Sequence, residues 1–171
     1  QKLYTDLIGT PVYEEYSPAS PLTYVRDLII DPETGKLLAF LVKNSRIIVP
    51  ADISYINSAL FIPDRDRIIH FSEVLRVADV LKKRITLIGS RVVSEKKHTY
   101  LGRLVDYSID ATHMVLTAIH VAKVFLLFQF GERIIAHKNI VKINKGTVIV
   151  KDIEPVKDKG EIKIESAPSP V

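Results

Sequence analysis

Val25-Arg26-Asp27-Leu28-Ile29-Ile30-Asp31 returns further along the chain as Leu104-Val105-Asp106-Tyr107-Ser108-Ile109-Asp110. Each is a short apolar run framed by two aspartates. Other matches keep the same order around this pair: Leu7-Ile8-Gly9 with Leu87-Ile88-Gly89 before it, and Arg46-Ile47-Ile48 with Arg133-Ile134-Ile135 after it. Beyond these, Ile53, Ile56, Asn57 and Ile62 match Ile140, Ile143, Asn144 and Ile149 at a constant offset of 87, whereas the early matches sit at 80 and 79. The second copy therefore carries 8 extra residues between Asp110 and Arg133. A unit that recurs in order at nearly rigid spacing reads as one β block used twice.

Within each copy the pattern is one of short strands. Leu22 to Ile30, Leu37 to Val42, Arg46 to Val49 and Ala59 to Ile62 are rich in β-branched and aromatic residues; Arg91 to Val93, Tyr100 to Val105, Met114 to Val121, Arg133 to Ala136 and Thr147 to Lys151 play the same parts. Turn chemistry separates them: Asp31-Pro32-Glu33-Thr34-Gly35, Asn44-Ser45 and Asn144-Lys145-Gly146. Many short strands at even spacing predict a small barrel in each copy. Between the copies, Ser72 reads as a helix N-cap, and Val74, Val77, Ala78 and Leu81 repeat at helical spacing ahead of the cationic end Lys82-Lys83-Arg84. The stretch Val121 to Phe130 is ambiguous, because Val124-Phe125-Leu126-Leu127-Phe128 is apolar all round and periodicity does not separate strand from helix; a short helix is the expectation.

The expected architecture is therefore mainly β, with two small barrels in tandem: a first repeat over 1–70, a linker helix over 71–86, a second repeat over 87–153 and a flexible tail over 154–171. Gln1 in place of Met reads as a trimmed start, with no signal peptide and no transmembrane run.

Composition narrows the function. The 171 residues are 47% apolar and 26% charged, which suits a globular chain rather than a disordered or fibrous one. There is no cysteine, which excludes disulfides, thiolate metal sites and cysteine nucleophiles, and makes the cytoplasm the expected compartment. The seven glycines never cluster into a phosphate-cradling loop, and no Gly-x-Ser-x-Gly elbow occurs. The chain reads as a non-enzyme without cofactor, metal or small-molecule ligand. Its histidines match no ligand motif, and Asp31 and Asp110 sit at strand exits, where aspartate usually accepts turn amides.

The net charge of +4 conceals an asymmetry. Residues 1–79 hold 8 Lys/Arg against 11 Asp/Glu, residues 80–153 hold 13 against 5, and the tail 3 against 4. The second copy is thus the candidate for an acidic partner or RNA, through Lys82, Lys83, Arg84, Lys96, Lys97 and Arg103, with Arg91 and the Lys138 to Lys145 stretch adding charge. Tyr100 and Tyr107 read either as packing residues or as a stacking platform for bases. In the apolar insertion, Phe125, Leu127, Phe128 and Phe130 are candidates for a protein or homodimer interface, or for covering the joint between the copies.

Leu87-Ile88-Gly89-Ser90-Arg91-Val92-Val93, Leu101-Gly102-Arg103-Leu104-Val105-Asp106-Tyr107 and Arg133-Ile134-Ile135 together resemble the signature of the PRC-barrel family. That family includes the cytoplasmic domain of the photosynthetic reaction-centre H subunit and the C-terminal domain of the ribosome maturation factor RimM. The signature residues here are Gly9, Asp27 and Pro50 in the first copy and Gly89, Gly102 and Asp106 in the second, with Thr23 where the first copy's second glycine would stand. The resemblance implies a tandem PRC-barrel protein acting as a binding or adaptor module. It implies as alternatives an RNA- or ribosome-associated factor, or an accessory at a membrane surface.

Overall fold

The computed structural model describes residues 1–125 and 128–152, with the side chains of 124–130 left aside. In the first half, β1 (Lys2–Leu3) leads into a four-residue helix, α1 (Tyr4–Leu7). Then come β2 (Pro11–Glu14), β3 (Thr23–Tyr24), β4 (Asp27–Ile30), β5 (Leu37–Leu41), β6 (Arg46–Ile48), β7 (Tyr55–Ile56), β8 (Leu60–Ile62) and β9 (Ile69–His70). Helix α2 (Leu75–Lys82) precedes β10 (Arg91–Ser94), β11 (Tyr100–Asp110), β12 (Val115–Phe125), β13 (Phe128–Ala136), β14 (Ile140–Asn144) and β15 (Thr147–Val150).

The same pairings occur in both halves. β2 runs parallel to β8 as β10 does to β15; β2 is antiparallel to β3 as β10 is to β11; and the meander β4-β5-β6 matches β11-β12-β13. Even the irregularities recur. A bulge lies between Ile29 and Ile30 against β5, and another between Ser108 and Ile109 against β12. Gly9 and Gly89 both stand at φ near +80, with N–H groups donating to Val25 O and Leu104 O at 2.8 Å. An added Cβ would meet nothing at either glycine, so the left-handed backbone alone requires them. In the last strand the spacing slips: Phe61 lies beside Tyr13 and Ile149 beside Val93, so the offset there is 88, and the sequence match of Ile62 with Ile149 is out by one residue.

The sheets do not close into the barrels expected from strand spacing. Among the described residues there is one seven-stranded sheet, β13-β12-β11-β10-β15-β14 with β1 beside β11, and there are two four-stranded sheets, β3-β2-β8-β7 and β4-β5-β6-β9. The 3-10 turns Pro50–Asp52 and His137–Asn139 interrupt the path from β6 to β7 and from β13 to β14, so neither sheet closes there. In the first half the chain breaks between β3 and β4 at Val25-Arg26 and two sheets result; β11 runs unbroken, and one sheet results.

Two further expectations are corrected. The stretch 121–130 is not helix: its described backbone extends β12 and β13, with Val121 opposite Arg133, Lys123 opposite Phe130 and Phe125 opposite Phe128. The extra residues of the second copy lengthen a hairpin that the first copy turns at Lys43–Ser45. Ser72 does not cap the helix. It lies inside a separate 3-10 turn, Phe71–Glu73, which is capped by the His70 ring accepting from Ser72 N and by the Glu73 carboxylate accepting from His70 N at 2.8 Å. Extended backbone at Val74 separates that turn from α2.

Helix α2 does more than connect. Val77 and Val80 are buried against Ile29, Ala39 and Ile47, covering the outer face of the β4-β5-β6 sheet. Arg76 locks the helix to the Asp31 turn through two bonds, Nη2 to Oδ1 at 2.7 Å and Nε to Oδ2 at 3.1 Å. In the second half the matching face carries Ser108 and His120 where the first carries Ile29 and Leu41. There, Ser108 Oγ bonds His120 Nε2 and Glu132 bonds His120 Nδ1. A face already supplied with polar partners has less apolar area to gain by burial under a helix.

The halves meet through their own equivalent turns. Leu37 N donates to Met114 O and Leu116 N to Gly35 O, both at 2.8 Å, around the bridge Lys36–Val115. Each partner is the other's repeat equivalent, so the contact is reciprocal, as in a two-fold interface. Asp31 Oδ1 accepts from Glu33 N, and Asp110 Oδ1 from Thr112 N, which is the turn role read from the sequence. Tyr4 packs against the buried Tyr107 with ring centroids 4.9 Å apart and planes tilted by 36°, and Thr5 Oγ1 donates to Asp106 at 2.6 Å. Burial, with the Asp27 carboxylate beside it, pushes the Tyr4 hydroxyl up to about 12. One hydrophobic core runs through both halves, from Val12, Phe40 and Leu60 to Leu104, Ile119 and Val148.

Two predictions follow from this packing. At Gly102 the backbone has φ +144, and an added Cβ would lie 2.5 Å from the Ala122 carbonyl oxygen on the neighbouring strand. Gly102→Ala therefore strains both the backbone and the β11–β12 pairing, and chemical denaturation should show a loss of about 1–3 kcal/mol. Hydrogen bonding from Arg76 holds the Asp31 carboxyl below its usual range. Its contribution is present above the unfolded value of about 3.9 and is lost as pH falls through the lowered folded value. Arg76→Met should lower the thermal midpoint at neutral pH, and the gap to the parent protein should narrow on acidification below that value.

Candidate functional site

The seven-stranded sheet turns one face to the core and the other to solvent. On β10, Val92 is fully buried, so Arg91 and Val93 point outward; on β11, Leu104 is buried and Arg103 points outward. Arg91 and Arg103 are direct cross-strand partners, Lys142 lies opposite Ile149, and Ile149 is beside Val93. The outward face thus carries three cations around a small apolar patch. Two like charges directly opposite each other are unfavourable unless each finds another partner. Arg91 lays its guanidinium over the Tyr100 ring, 5.4 Å from the centroid, and Arg103 Nη1 donates to Gly89 O at 2.8 Å. The cation–ring contact contributes about 0.5–1 kcal/mol at an exposed site.

The sequence candidates divide over this frame. Arg103 lies on the face, with Arg91 opposite it and the Lys145-Gly146 turn nearby, since Arg91 N donates to Gly146 O. Lys96 and Lys97 sit in the loop after β10, at the other end of that strand, where their backbone N–H groups donate to the Asp152 carboxylate and leave both ammonium groups exposed. Lys82, Lys83 and Arg84 are at the far end of α2; Lys83 is engaged by Asp79 at 2.8 Å, and Arg84 has left-handed backbone with φ +53. The six residues therefore do not form one cluster. Arg91 and Lys142 belong to the face beside Arg103; both stood among the basic residues of the second half, but the register shift between Ile140 and Lys142 breaks the alternation along β14 that would assign Lys142 to this face.

Among the described residues, no Lys or Arg from Arg84 to Lys151 forms an ion pair. The few carboxylates of that half are largely committed elsewhere: Asp110 to His113, Glu132 to His120, Asp106 to Thr5 and the Tyr107 N–H, Asp152 to the Lys96 loop. The His113 ring and two turn amides hold the Asp110 carboxyl down at about 2.

Neither Tyr100 nor Tyr107 is a free stacking surface of equal kind. Tyr107 is buried in the core against Tyr4, whereas Tyr100 is 40% exposed beneath Arg91. Leu127 lies outside the described residues, as do the side chains of Phe125, Phe128 and Phe130 and the tail at 154–171. The described residues contain no group of three His, Asp or Glu placed to hold a metal ion, and no helix long and apolar enough to cross a membrane.

Paired terminal strands, repeated glycine turns and aspartates that cap the next residue's N–H define a small, mainly β binding fold; Asp27 accepts from Leu28 N and Asp106 from Tyr107 N. A family model described as PRC-barrel domain matches residues 1–87, half of the chain, and the chain belongs to that family. No curated protein matches it. Gly9, Asp27 and Pro50 fall within the matched residues, and membership points to a small binding or adaptor module.

If the Asp152 carboxylate sets the shape of the Lys96 loop, Asp152→Ala should speed amide hydrogen exchange at Lys96 and Lys97. Exchange at Val92, buried within β10, should stay unchanged.

Proposed function

We propose that the chain is a non-catalytic adaptor built from two PRC-barrel units in tandem, the second of which docks an acidic macromolecule on its outward sheet face. The carrying observation is the set of cations from Arg84 to Lys151 that no described carboxylate neutralises, centred on Arg91, Arg103 and Lys142. Such groups keep their charge available for a partner, and desolvating them against one already paired internally would gain nothing. The repeat of pairings, bulges and glycine turns supports the tandem reading, since chance similarity would not preserve the irregularities.

RNA is the second reading, and it rests on Arg91 over Tyr100: a guanidinium beside a 40% exposed ring offers a cation and a π-face to a base. A fluorescent oligouridine and an acidic peptide, titrated separately at several salt concentrations, distinguish the two partners. Each removed phosphate contact on a single strand should reduce the salt slope by about 0.7, so Arg91→Ala with Arg103→Ala should flatten it by about 1.4. Lys96→Glu with Lys97→Glu should weaken binding further if the partner extends along β10. Binding that ignores both salt and these substitutions would overturn the reading.

A further inference from the structure

The matching outward face of the first half is chemically different. Replacing each residue by its structural equivalent turns Arg103 into Tyr24, Arg91 into Pro11, Val93 into Tyr13, Ile149 into Phe61 and Lys142 into Tyr55. One position of the shared fold is cationic in the second half and aromatic in the first. Phe61 stands between two rings: Tyr55 on β7 at 4.4 Å and 18°, and Tyr13 on β2 at 5.7 Å and 23°. Tyr24, across from Pro11, is 52% exposed, and Tyr55 is 43% exposed. Three stacked rings, with a proline and a fourth ring beyond, form a ridged apolar strip on a solvent-facing sheet.

We infer that this aromatic strip docks a proline-rich segment of a protein partner that carries an arginine at every third residue. The ridges between parallel rings suit proline rings presented by a polyproline helix, which needs no ordering on binding. The charge requirement comes from the surroundings. Glu15 holds its carboxylate beside the strip through a 2.6 Å bond from Ser54 Oγ, next to Tyr55, and residues 1–79 carry an acidic excess. The matching face of the second half shows the chemistry within the chain itself, a guanidinium seated over a tyrosine ring. The inference extends the adaptor reading, for the duplicated fold would then offer opposite chemistries to two partners, yet it rests only on residues of the first half.

The probes are synthetic peptides of about ten residues built from Arg-Pro-Pro, Glu-Pro-Pro and Arg-Ser-Ser repeats, followed by amide chemical shifts of the full chain. The Arg-Pro-Pro peptide should shift Tyr13, Tyr24, Tyr55 and Phe61. Both other peptides should bind at least about tenfold more weakly. Tyr55→Ala should cost about tenfold in affinity, Tyr55→Phe should restore most of it, and Tyr16→Ala, an exposed ring outside the stack, should change nothing. Arg91→Ala with Arg103→Ala should leave this binding intact, so its failure is distinguishable from failure of the cationic face. Equal binding of the Glu-Pro-Pro peptide, shifts confined to the second half, or strip shifts that depend on protein concentration without peptide, the mark of a second copy on this face, would each overturn the inference.

Discussion

The reciprocal contact between the Asp31–Gly35 turn and its repeat equivalent is the constraint on which the molecule depends. Leu37 N to Met114 O and Leu116 N to Gly35 O join the backbones of two meanders that share one core, through one antiparallel bridge. That bridge requires tight turns on both sides, and both turns meet it with left-handed backbone, Gly35 at φ +71 and Met114 at φ +52. At Gly35 there is a second demand: an added Cβ would lie 2.5 Å from the His137 ring, which packs across from the other half. The aspartates that open the turns, by accepting their amides, hold this geometry before any side chain from the other half arrives.

Because the halves meet at equivalent points, they share one core, and each is free to specialise on its outside. The first half buries the outer face of β4-β5-β6 under α2 and ties that helix down with Arg76 and Asp31. The second half places Ser108, His120 and Glu132 on the matching face, where they satisfy one another. The other outward face diverges in the opposite sense, aromatic in the first half and cationic in the second. Core positions such as Val12 and Val92, or Leu60 and Val148, stay apolar and fully buried in both. Packing density constrains them, whereas solvent-facing positions answer only to partners.

Much of this was legible along the chain. The two aspartate-framed runs, the glycine turns and the place of the insertion are local features, and turn chemistry acts within a few residues. The insertion's conformation was not legible, since Val124-Phe125-Leu126-Leu127-Phe128 has no period; antiparallel pairing within the β12–β13 hairpin, Val124 opposite Gln129 and Phe125 opposite Phe128, makes its described backbone extended. Ser72 was a sound cap by type, but extended backbone at Val74 separated it from the helix it was assigned to. Short strands such as β7 and β9 carry too few residues to show alternation and depend on their neighbours for pairing.

By itself the sequence determined that several short runs recur in the same order in both halves, where the turns and the added length fall, and that charge is distributed unequally between the halves. Only the tertiary structure decided that the sheets stay open, that α2 covers a sheet as well as connecting the halves, and which cations share a surface. Arg91 and Arg103 are neighbours because β10 and β11 pair in one register, and Tyr13 joins the Tyr55–Phe61 pair of the β7–β8 hairpin because the distant strand β2 lies parallel beside β8. Alternation along a strand assigns each side chain to one of two faces; long-range pairing alone determines what stands beside it there.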